Sequence, residues 1–259
     1  MSLIKIGGRS IELSRQEKVL FPKSHLTKGD LISYYQMIAP YMLPYMKNHP
    51  ITLQRFPNGI ADEWFYQKDV PDYFPPWIPT IPIEKKEGGK VNYVQINNVA
   101  TLVYLANQAV ISFHTLLGTK NKLLYPDRLI FDLDPVKNDF KKVKEGAYAL
   151  HDLLTALSLD PQVMLTGSRG AHVIVFLKQV HTFDQVRTFA SACAHYLISK
   201  NPTLFTLEMR HAKRKAALFL DTLRNGFSAM AIAPYSVRPL EHAPVATPVS
   251  WQELKTIQE

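Results

Sequence analysis

The sequence predicts an α+β protein, with the strands of a mixed sheet interspersed among helices. Short apolar runs of strand length recur at residues 51–56, 129–133, 163–165, 172–177 and 217–221. Longer stretches, 140–157 and 182–199, repeat their apolar residues at helical spacing instead. The two kinds follow one another without a regular strand–helix–strand rhythm, which favours a mixed sheet over a doubly wound parallel one.

Taken in order, residues 4–6 and 10–13 read as two strands joined by a turn at Gly7-Gly8. Thr27 has the character of a helix N-cap, with Asp30 three residues on in a capping-box position. The helix it starts carries Leu31, Tyr34, Tyr35 and Ile38 and is expected to end near Pro40. Residues 51–56 alternate like a strand and run into the Pro57-Asn58-Gly59 turn. Five prolines and a Gly88-Gly89 pair make residues 71–90 an extended region. The apolar spacing of residues 101–117 fits a helix closed by Gly118. Residues 217–221 form a last strand, and a proline-punctuated tail follows. Residues 1–259 are expected to form a single domain, and if it has two lobes the seam falls near 71–100.

Apolar residues make up 46% of the chain and charged residues 20%, ordinary globular values that allow a sizeable core. No stretch approaches the roughly 18 consecutive apolar residues of a membrane helix, so no membrane partner is expected. Residues 1–13 hold no long apolar run behind a basic start, so a secretory signal is not expected and the cytoplasm is the default compartment. The single Cys193 excludes an intrachain disulfide and a cysteine-built zinc site. The formal charge of +8 favours polyanionic partners, nucleic acid among them.

The sharpest local pattern is Leu129-Ile-Phe-Asp-Leu-Asp-Pro135. Residues two apart on a strand share a face, so Asp132 and Asp134 project together while Phe131 and Leu133 point into the core. Two carboxylates side by side repel unless a cation neutralises them, and their hard oxygens suit magnesium or manganese. The same pattern also suits a strand ending in two solvated acids. A second apolar run delivers Asp221, either as a third ligand or as a capping acid before a turn. Between two strands lies Thr166-Gly-Ser-Arg-Gly-Ala-His172, whose glycines would let the backbone approach a phosphate, and which also reads as a plain hairpin turn. Basic groups gather at Arg210-His-Ala-Lys-Arg-Lys215, a triphosphate clamp through Lys213 or Arg214 or a solvated charge run, and Arg224 and Arg238 lie downstream as further candidates for the clamp. Lys18, Lys23 and Lys28 flank a loop and helix start suited to a terminal phosphate. Trp64, Phe65 and Tyr66 are adjacent aromatics, core residues or stacking partners for a base.

These pieces together resemble the polymerase domain of bacterial ATP-dependent DNA ligase D, a branch of the archaeo-eukaryotic primase superfamily. The resemblance runs through Glu17-Lys-Val-Leu-Phe-Pro22, Trp64-Phe-Tyr-Gln-Lys68, Leu102-Val-Tyr-Leu-Ala-Asn107, Asp132-Leu-Asp134, Gly167-Ser-Arg-Gly170, Asp221-Thr-Leu-Arg-Asn225 and Ala233-Pro-Tyr-Ser-Val-Arg238, in family order. It implies a primase-type core of two packed mixed or antiparallel sheets with flanking helices. It implies template-directed nucleotidyl transfer onto a primer 3′-hydroxyl at DNA gaps or broken ends, often with ribonucleotides and manganese. Asp132, Asp134 and Asp221 become the catalytic ligands of two divalent cations, Mn2+ or Mg2+. His114 is placed near the sugar of the incoming nucleotide, and Thr166, Ser168, Arg169 and His172 around its triphosphate, with Arg214 and Arg238 assisting. Lys18 and Lys28 match positions that hold a downstream 5′-phosphate, and Trp64 or Phe65 an aromatic that stacks on the template. The implied partners are nucleoside triphosphates, gapped or 5′-phosphorylated DNA, Ku and a DNA ligase, in the bacterial nucleoid. The chain departs from the family at His114-Thr115-Leu116, where His-Pro-Trp is usual, at Thr222, where tyrosine is usual, and before Thr166, where a lysine is replaced by Met164-Leu165. Two rivals share parts of this pattern. One is a stand-alone primase that starts chains de novo, the other a catalytically weak DNA-end-binding module that recruits repair partners. A phosphatase of the Asp-x-Asp type fits poorly, because it would give Asp221 no role.

Overall fold

The computed structural model describes residues 2–85 and 87–258. Its contacts divide the chain into two compact units, Met1–Leu116 with Met230–Val245, and Leu117–Ala229 with Ala246–Glu259. The proline-rich stretch 71–90 and the expected seam near 71–100 lie wholly inside the first unit. The division falls after Leu116, and the chain returns to the first unit at Met230.

The first unit opens with a hairpin of β1 (Ser2–Ile6) and β2 (Arg9–Leu13), turning at Gly7 and Gly8, and a short pair, β3 (Val19–Phe21) with β4 (Leu26–Thr27). Helix α1 (Lys28–Met46) starts on the expected capping box: the Asp30 amide donates to Thr27 Oγ1 at 3.2 Å and the Thr27 amide to Asp30 Oδ2 at 2.8 Å. It does not end near Pro40 but continues through Pro40 and Pro44. Each internal proline costs about 3 kcal/mol in lost hydrogen bonding and ring clash. The complete burial of Ala39, Met42 and Met46 on the continued face offsets that cost.

Strands β5 (Pro50–Arg55), β6 (Phe65–Gln67), β7 (Thr80–Glu84) and β8 (Lys90–Gln95) follow, then helix α2 (Val99–Asn107) and strand β9 (Val110–Leu116). With β17 (Met230–Ile232), from the proline-punctuated tail, they form an antiparallel sheet in the order β17-β9-β5-β8-β7, and β6 pairs with β5. The helix expected over 101–117 is therefore two elements. Ala109, at φ 57°, ends the helical path, and β9 is buried at every position. A strand covered on both faces reads as one continuous apolar run, which periodicity does not separate from a buried helix.

The second unit holds a hairpin of β10 (Gly118–Thr119) and β11 (Lys122–Pro126) and a larger sheet. That sheet is built from β12 (Arg128–Asp134), β13 (Pro161–Leu165), β14 (Ala171–Phe176), β15 (Phe205–Thr206), β16 (Leu218–Asp221) and β18 (Thr247–Val249). Their order is β15-β16-β12-β14-β13-β18, antiparallel except for the β15–β16 pair. Helices α3 (Phe140–Ala156) and α4 (Phe183–Lys200) fall where the amphipathic spacing placed them, and α5 (Trp251–Thr256) closes the chain. One face of the sheet is apolar: Leu129, Phe131, Leu133, Val163, Val173, Val175, Leu218 and Leu220 cluster with Val143, Ala147, Leu150 and Leu154 of α3 and Ala190, Ala194 and Leu197 of α4. The alternate residues of the same strands, Asp132, Asp134, His172, Phe219 and Asp221, take the opposite face.

Gly146 sets how closely α3 approaches this sheet. A Cβ built there would lie 2.4 Å from Leu218 Cδ2 and 3.1 Å from Phe205 Cε1, both in the core. Glycine to alanine within a helix usually stabilises by about 1 kcal/mol, whereas overpacking a core costs about 1–3 kcal/mol. Gly146→Ala is therefore expected to lower stability by about 1 kcal/mol in denaturant titration. A gain in stability would contradict this account of the packing.

Candidate active site

Strand register builds the centre of the second unit. Asp132 on β12 stands directly opposite Asp221 on β16 and, on its other side, opposite His172 on β14. Directly opposed residues in antiparallel strands have Cβ atoms about 4.5–5.5 Å apart, so two carboxylates and an imidazole form one row across three strands. Asp134 lies two residues further along the same face, opposite Phe219.

Cationic side chains close around this row. Arg224 Nε is 3.1 Å from Asp132 Oδ2 and 3.7 Å from Asp221 Oδ2. His172 Nε2 is 3.6 Å from Asp132 Oδ2, and its other ring nitrogen, Nδ1, is buried and has no hydrogen-bond partner among the described residues. Asp134 receives Arg214 Nη1 at 2.8 Å, His211 Nε2 at 3.5 Å and Arg169 Nη2 at 3.7 Å. Burial opposes ionisation of Asp132, but His172 and Arg224 outweigh it and hold its carboxyl down at about 2. Asp221 shifts the other way: burial is the main cause and the Asp132 charge adds to it, against the Leu223 amide, Arg224 and His172.

Among the described residues no group of three His, Cys, Asp or Glu side chains is already gathered to hold a metal ion, and the cation between Asp132 and Asp221 is Arg224. The donor set nonetheless suits a hard divalent ion. Three carboxylates share one sheet face, two of them directly opposed, and like charge on Asp132 raises the pKa of Asp221. Asp132, Asp134 and Asp221 are the groups that would hold it.

The residues expected around a triphosphate differ in how free they are. Ser168 and Arg169 are exposed on the turn between β13 and β14. Thr166 holds the turn closed, its amide and its hydroxyl each 3.0 Å from the Gly170 carbonyl, with Ser168 Oγ 3.3 Å from its hydroxyl. Gly170 does not serve ligand approach: a Cβ there would stand 2.1 Å from the Leu133 carbonyl oxygen, so this glycine lets the turn close against β12. Arg214 is almost wholly buried over the Phe219 ring, 4.3 Å from its centroid, and also donates to the Glu208 and Met209 carbonyls at 2.9 Å each. It braces Asp134 rather than reaching outward.

Two residues gain a role that sequence reasoning did not assign. Arg224 supplies the counter-charge just described. Asn225, fully buried, completes the open side of β12: its Oδ1 accepts the Ile130 amide at 2.8 Å and its Nδ2 donates to the Ile130 carbonyl at 2.7 Å and to that of Thr222 at 2.9 Å. The carboxamide thereby copies one peptide unit of a neighbouring strand and pins the 3-10 turn Leu223–Asn225 beside the acids. The signal was the motif Asp221-Thr-Leu-Arg-Asn225, but its meaning depends on where β16 stops pairing with β12.

The remaining expected residues belong to the first unit. His114, on β9, stands opposite Thr52 and Ile232, and its ring meets Tyr66 edge-on with centroids 5.6 Å apart. Arg238 donates its amide to the Pro244 carbonyl at 2.7 Å. Trp64 and Phe65, both close to half exposed, have separate surroundings: Trp64 stacks on Phe56 and meets Tyr66, whereas the Arg55 guanidinium lies 5.5 Å from the Phe65 centroid. Lys18 Nζ donates to the Pro57 carbonyl at 2.6 Å and Asn58 Oδ1 at 2.7 Å. Lys28 is buried and donates to the Asn107 carbonyl at 3.0 Å and Ser14 Oγ at 3.3 Å. Burial, and then the charge of Lys18, pushes the pKa of Lys28 down. Two like charges held near each other, one of them out of water, gain from an anion. Among the described residues no helix is long and apolar enough to cross a membrane.

The family model for "LigD, primase-polymerase domain" matches residues 27–259. The chain is 31% identical over 248 residues to the bifunctional non-homologous end joining protein LigD of Bacillus subtilis (strain 168), covering 95% of this chain and 40% of that protein. It is likewise 31% identical over 252 residues to the multifunctional non-homologous end joining protein LigD of Mycolicibacterium smegmatis, covering 94% of this chain and 32% of that protein. The chain thus spans about a third to two fifths of the length of these curated relatives. Among solved structures it is similar to the polymerase domain from Mycobacterium tuberculosis ligase D in complex with DNA. The TM-score is 0.89 at 29% identity, over 95% of this chain and 88% of that one. The mixed α+β architecture expected from the sequence is that of this polymerase domain.

The two opposed acids are expected to respond oppositely to neutralisation. The folded-state pKa of Asp132 is depressed, so its stabilising contribution is present above the unfolded value of 3.8 and lost as pH falls towards about 2. Asp132→Asn should cost about 2 kcal/mol at pH 7. The folded-state pKa of Asp221 is raised, so ionisation costs stability as pH climbs above 3.8. Asp221→Asn should therefore stabilise the cation-free protein at pH 7, with the gain vanishing as pH falls below the unfolded value of 3.8. Thermal melts of both variants in chelator across pH 3–8 check this; equal destabilisation by the two would contradict it.

Proposed function

The chain belongs to the LigD primase-polymerase domain family, whose members are nucleotidyltransferases, and from that premise we propose that it adds nucleotides to a primer 3′-hydroxyl under the direction of a DNA template, at gaps or broken ends. The observation that carries this reading is the row Asp221–Asp132–His172 with Asp134 beside it, acids aligned by strand register on the polar face of the sheet. Family membership implies metal-dependent catalysis. Two divalent cations, manganese or magnesium, lower the pKa of an attacking hydroxyl and neutralise charge on a leaving pyrophosphate when bound.

The side chains of the chain do the rest. Asp132, Asp134 and Asp221 present carboxylate oxygens on one rigid face. Arg214, locked by two backbone carbonyls, keeps Asp134 oriented. Ser168 and Arg169, exposed on their turn, are placed to meet phosphate oxygens, and Thr166 keeps that turn closed. His172 offers its buried Nδ1 as a further hydrogen-bonding group. Positive charge fixed by the fold stabilises a transition state without reorganising during the reaction. The nucleotide assignments of His114 and Arg238 rest on the family pattern, and a preference for ribonucleotides with them.

A downstream 5′-phosphate is assigned to Lys18 and Lys28, supported by the cost of holding these two like charges near each other. Trp64 and Phe65, exposed beside Arg55 and Tyr66, suit stacking on template bases. Residues 1–259 act in this reading as one polymerase domain, supported by a family match running from 27 to 259. Its setting is end joining, supported by the names of the curated relatives; Ku, a DNA ligase and the bacterial nucleoid as its surroundings rest on the family pattern alone.

Primer extension on a gapped duplex tests the reading. Asp132→Ala with Asp134→Ala should reduce extension by at least about 1,000-fold while DNA binding persists, the scale of losing transition-state charge stabilisation. The wild type should extend better when the gap carries a 5′-phosphate, and Lys18→Ala should remove that preference. Extension retained by the double variant would overturn the assignment. Dinucleotide synthesis on a bare single strand would favour a stand-alone primase.

A further inference from the structure

Helix α1 has an outer face unlike that of a solvated helix. Leu31, Tyr35, Ala39, Met42 and Met46 point into the core, and Ser33, Met37, Pro40, Tyr41 and Pro44 lie on the opposite side. Met37 is 69% exposed and Tyr41 64%. The outer face of a surface helix is ordinarily charged, yet residues 31–46 hold no Asp, Glu, Lys or Arg. The two prolines add to the contrast. Both are exposed, so neither adds to the core, and they withhold the amide protons that would bond the carbonyls of Gln36 and Pro40. Along one edge of this face Tyr41 and Tyr45 close on Tyr235, with ring centroids 6.3 and 6.2 Å away. Tyr235, at φ 64°, is tied to the helix by Tyr34, whose hydroxyl donates to its carbonyl at 2.8 Å. The face is therefore uncharged, firmly held and supplied with acceptors that its own helix does not use.

We propose that this face of α1 pairs with the same face of a second copy of the chain. Charge selects that occupant. Each copy carries a formal charge of +8, so two copies repel except where they meet on an uncharged surface, and a charged partner finds no opposite charge on residues 31–46. An isologous contact also needs a surface complementary to itself, and this one holds both a phenol that donates and carbonyls that accept. Antiparallel pairing of α1 about a two-fold axis level with the peptide between Ile38 and Ala39 brings these together. Tyr41 then meets the partner's Gln36, Met37 meets the partner's Pro40 and Pro44 meets the partner's Ser33, so that each exposed residue finds an exposed one. The Tyr41 hydroxyl donates to the carbonyl of the partner's Gln36, the one that proline at position 40 leaves without its helical amide. One helix face is smaller than the roughly 800 Å² that each partner buries in a stable complex, so the dimer is transient, with a dissociation constant on the order of 10–100 μM. The inference uses no feature of the acid cluster and stands apart from the nucleotidyl-transfer reading.

Sedimentation equilibrium of the full chain, without DNA, nucleotide or metal, tests this. From about 1 to about 300 μM the average mass should climb from one chain towards two. The climb should be steeper in about 0.5 M salt than in about 0.05 M, because screening relieves the repulsion between copies and leaves an uncharged contact untouched. Met37→Lys should stay monomeric over that range. Adding Pro40→Glu to it should restore the dimer, since the register sets position 37 against position 40 of the partner subunit. Pro40→Ala with Pro44→Ala returns the two amide donors to the helix. That variant should melt at a higher temperature yet associate about tenfold more weakly, a combination that prolines serving the fold alone would not give. A wild type that stays monomeric in both salts, or a dimer that survives Met37→Lys, would overturn the proposal. Failure of Pro40→Glu to restore the dimer would overturn the antiparallel register, and association unchanged in the proline variant would overturn the carbonyl pairing. If Met37→Lys does not fold, the Met37 methyl resonance of the wild type, identified by its loss in Met37→Leu, decides: it should shift as the protein is concentrated, and a fixed resonance would overturn the proposal.

Discussion

Asp132 and Asp221 face each other across one strand-to-strand spacing, and neither can retreat, because each sits on a strand whose opposite face is locked into the core. Two full charges about 4 Å apart repel by roughly 4 kcal/mol even at an effective dielectric near 20. Much of the polar face of the second unit answers that repulsion. His172 flanks the pair on β14, Arg224 lies between the two acids, and Arg214, His211 and Arg169 attend Asp134. The two carboxyls shift in opposite directions, Asp132 down because His172 and Arg224 outweigh its burial, and Asp221 up through burial and the charge of Asp132. A site held in this condition gains when a divalent cation arrives, which is the arrangement a metal-dependent nucleotidyltransferase needs.

The support for this cluster comes from unremarkable chemistry used at chosen points. Gly170 lets the 166–170 turn close against the Leu133 carbonyl, next to Asp134. Gly146 lets α3 sit low on the apolar face, beneath Leu133 and Leu218. Asn225 finishes an incomplete strand edge with a side-chain amide, so no backbone group of Ile130 is left unpaired. Each brings the backbone near the acids to a fixed place, and fixed placement is what electrostatic catalysis depends on. In the first unit a similar tension exists between Lys18 and Lys28, one tied to the Pro57-Asn58 turn and the other drawn into the fold against Asn107.

Much of this was legible in the sequence where local pattern and tertiary role agree. The strand 129–133 shows as a short apolar run that stops at two acids, the helix from Phe140 shows clean amphipathicity because it has one buried face, and Thr27 and Asp30 announce their helix through a contact three residues apart. Legibility failed where long-range packing decides. Val110 to Leu116 is buried on both sides and so carries no period that separates strand from helix. Pro40 and Pro44 stop most helices, but α1 continues because Met42 and Met46 find the core. The tail contributes β17 and β18 to two different sheets, pairings that no spacing within the tail encodes. Among site residues, the three acids stood out by type and position. Arg224 shows in the sequence only as a further candidate for the triphosphate clamp, and Asn225 not as a site residue, since their meaning lies in the partners on β12.

The central claim is that the polar face at the end of β12 and β16 binds the catalytic cation. Cleavage of the backbone by Fe2+ bound in place of that cation, with ascorbate and oxygen generating radicals at the metal, tests it most directly. The account predicts cuts confined to the neighbourhoods of residues 132–134, 172 and 221–224, suppressed by excess Mg2+ and lost in Asp132→Asn. Cuts elsewhere in the chain, or cuts indifferent to Asp132→Asn, would contradict it.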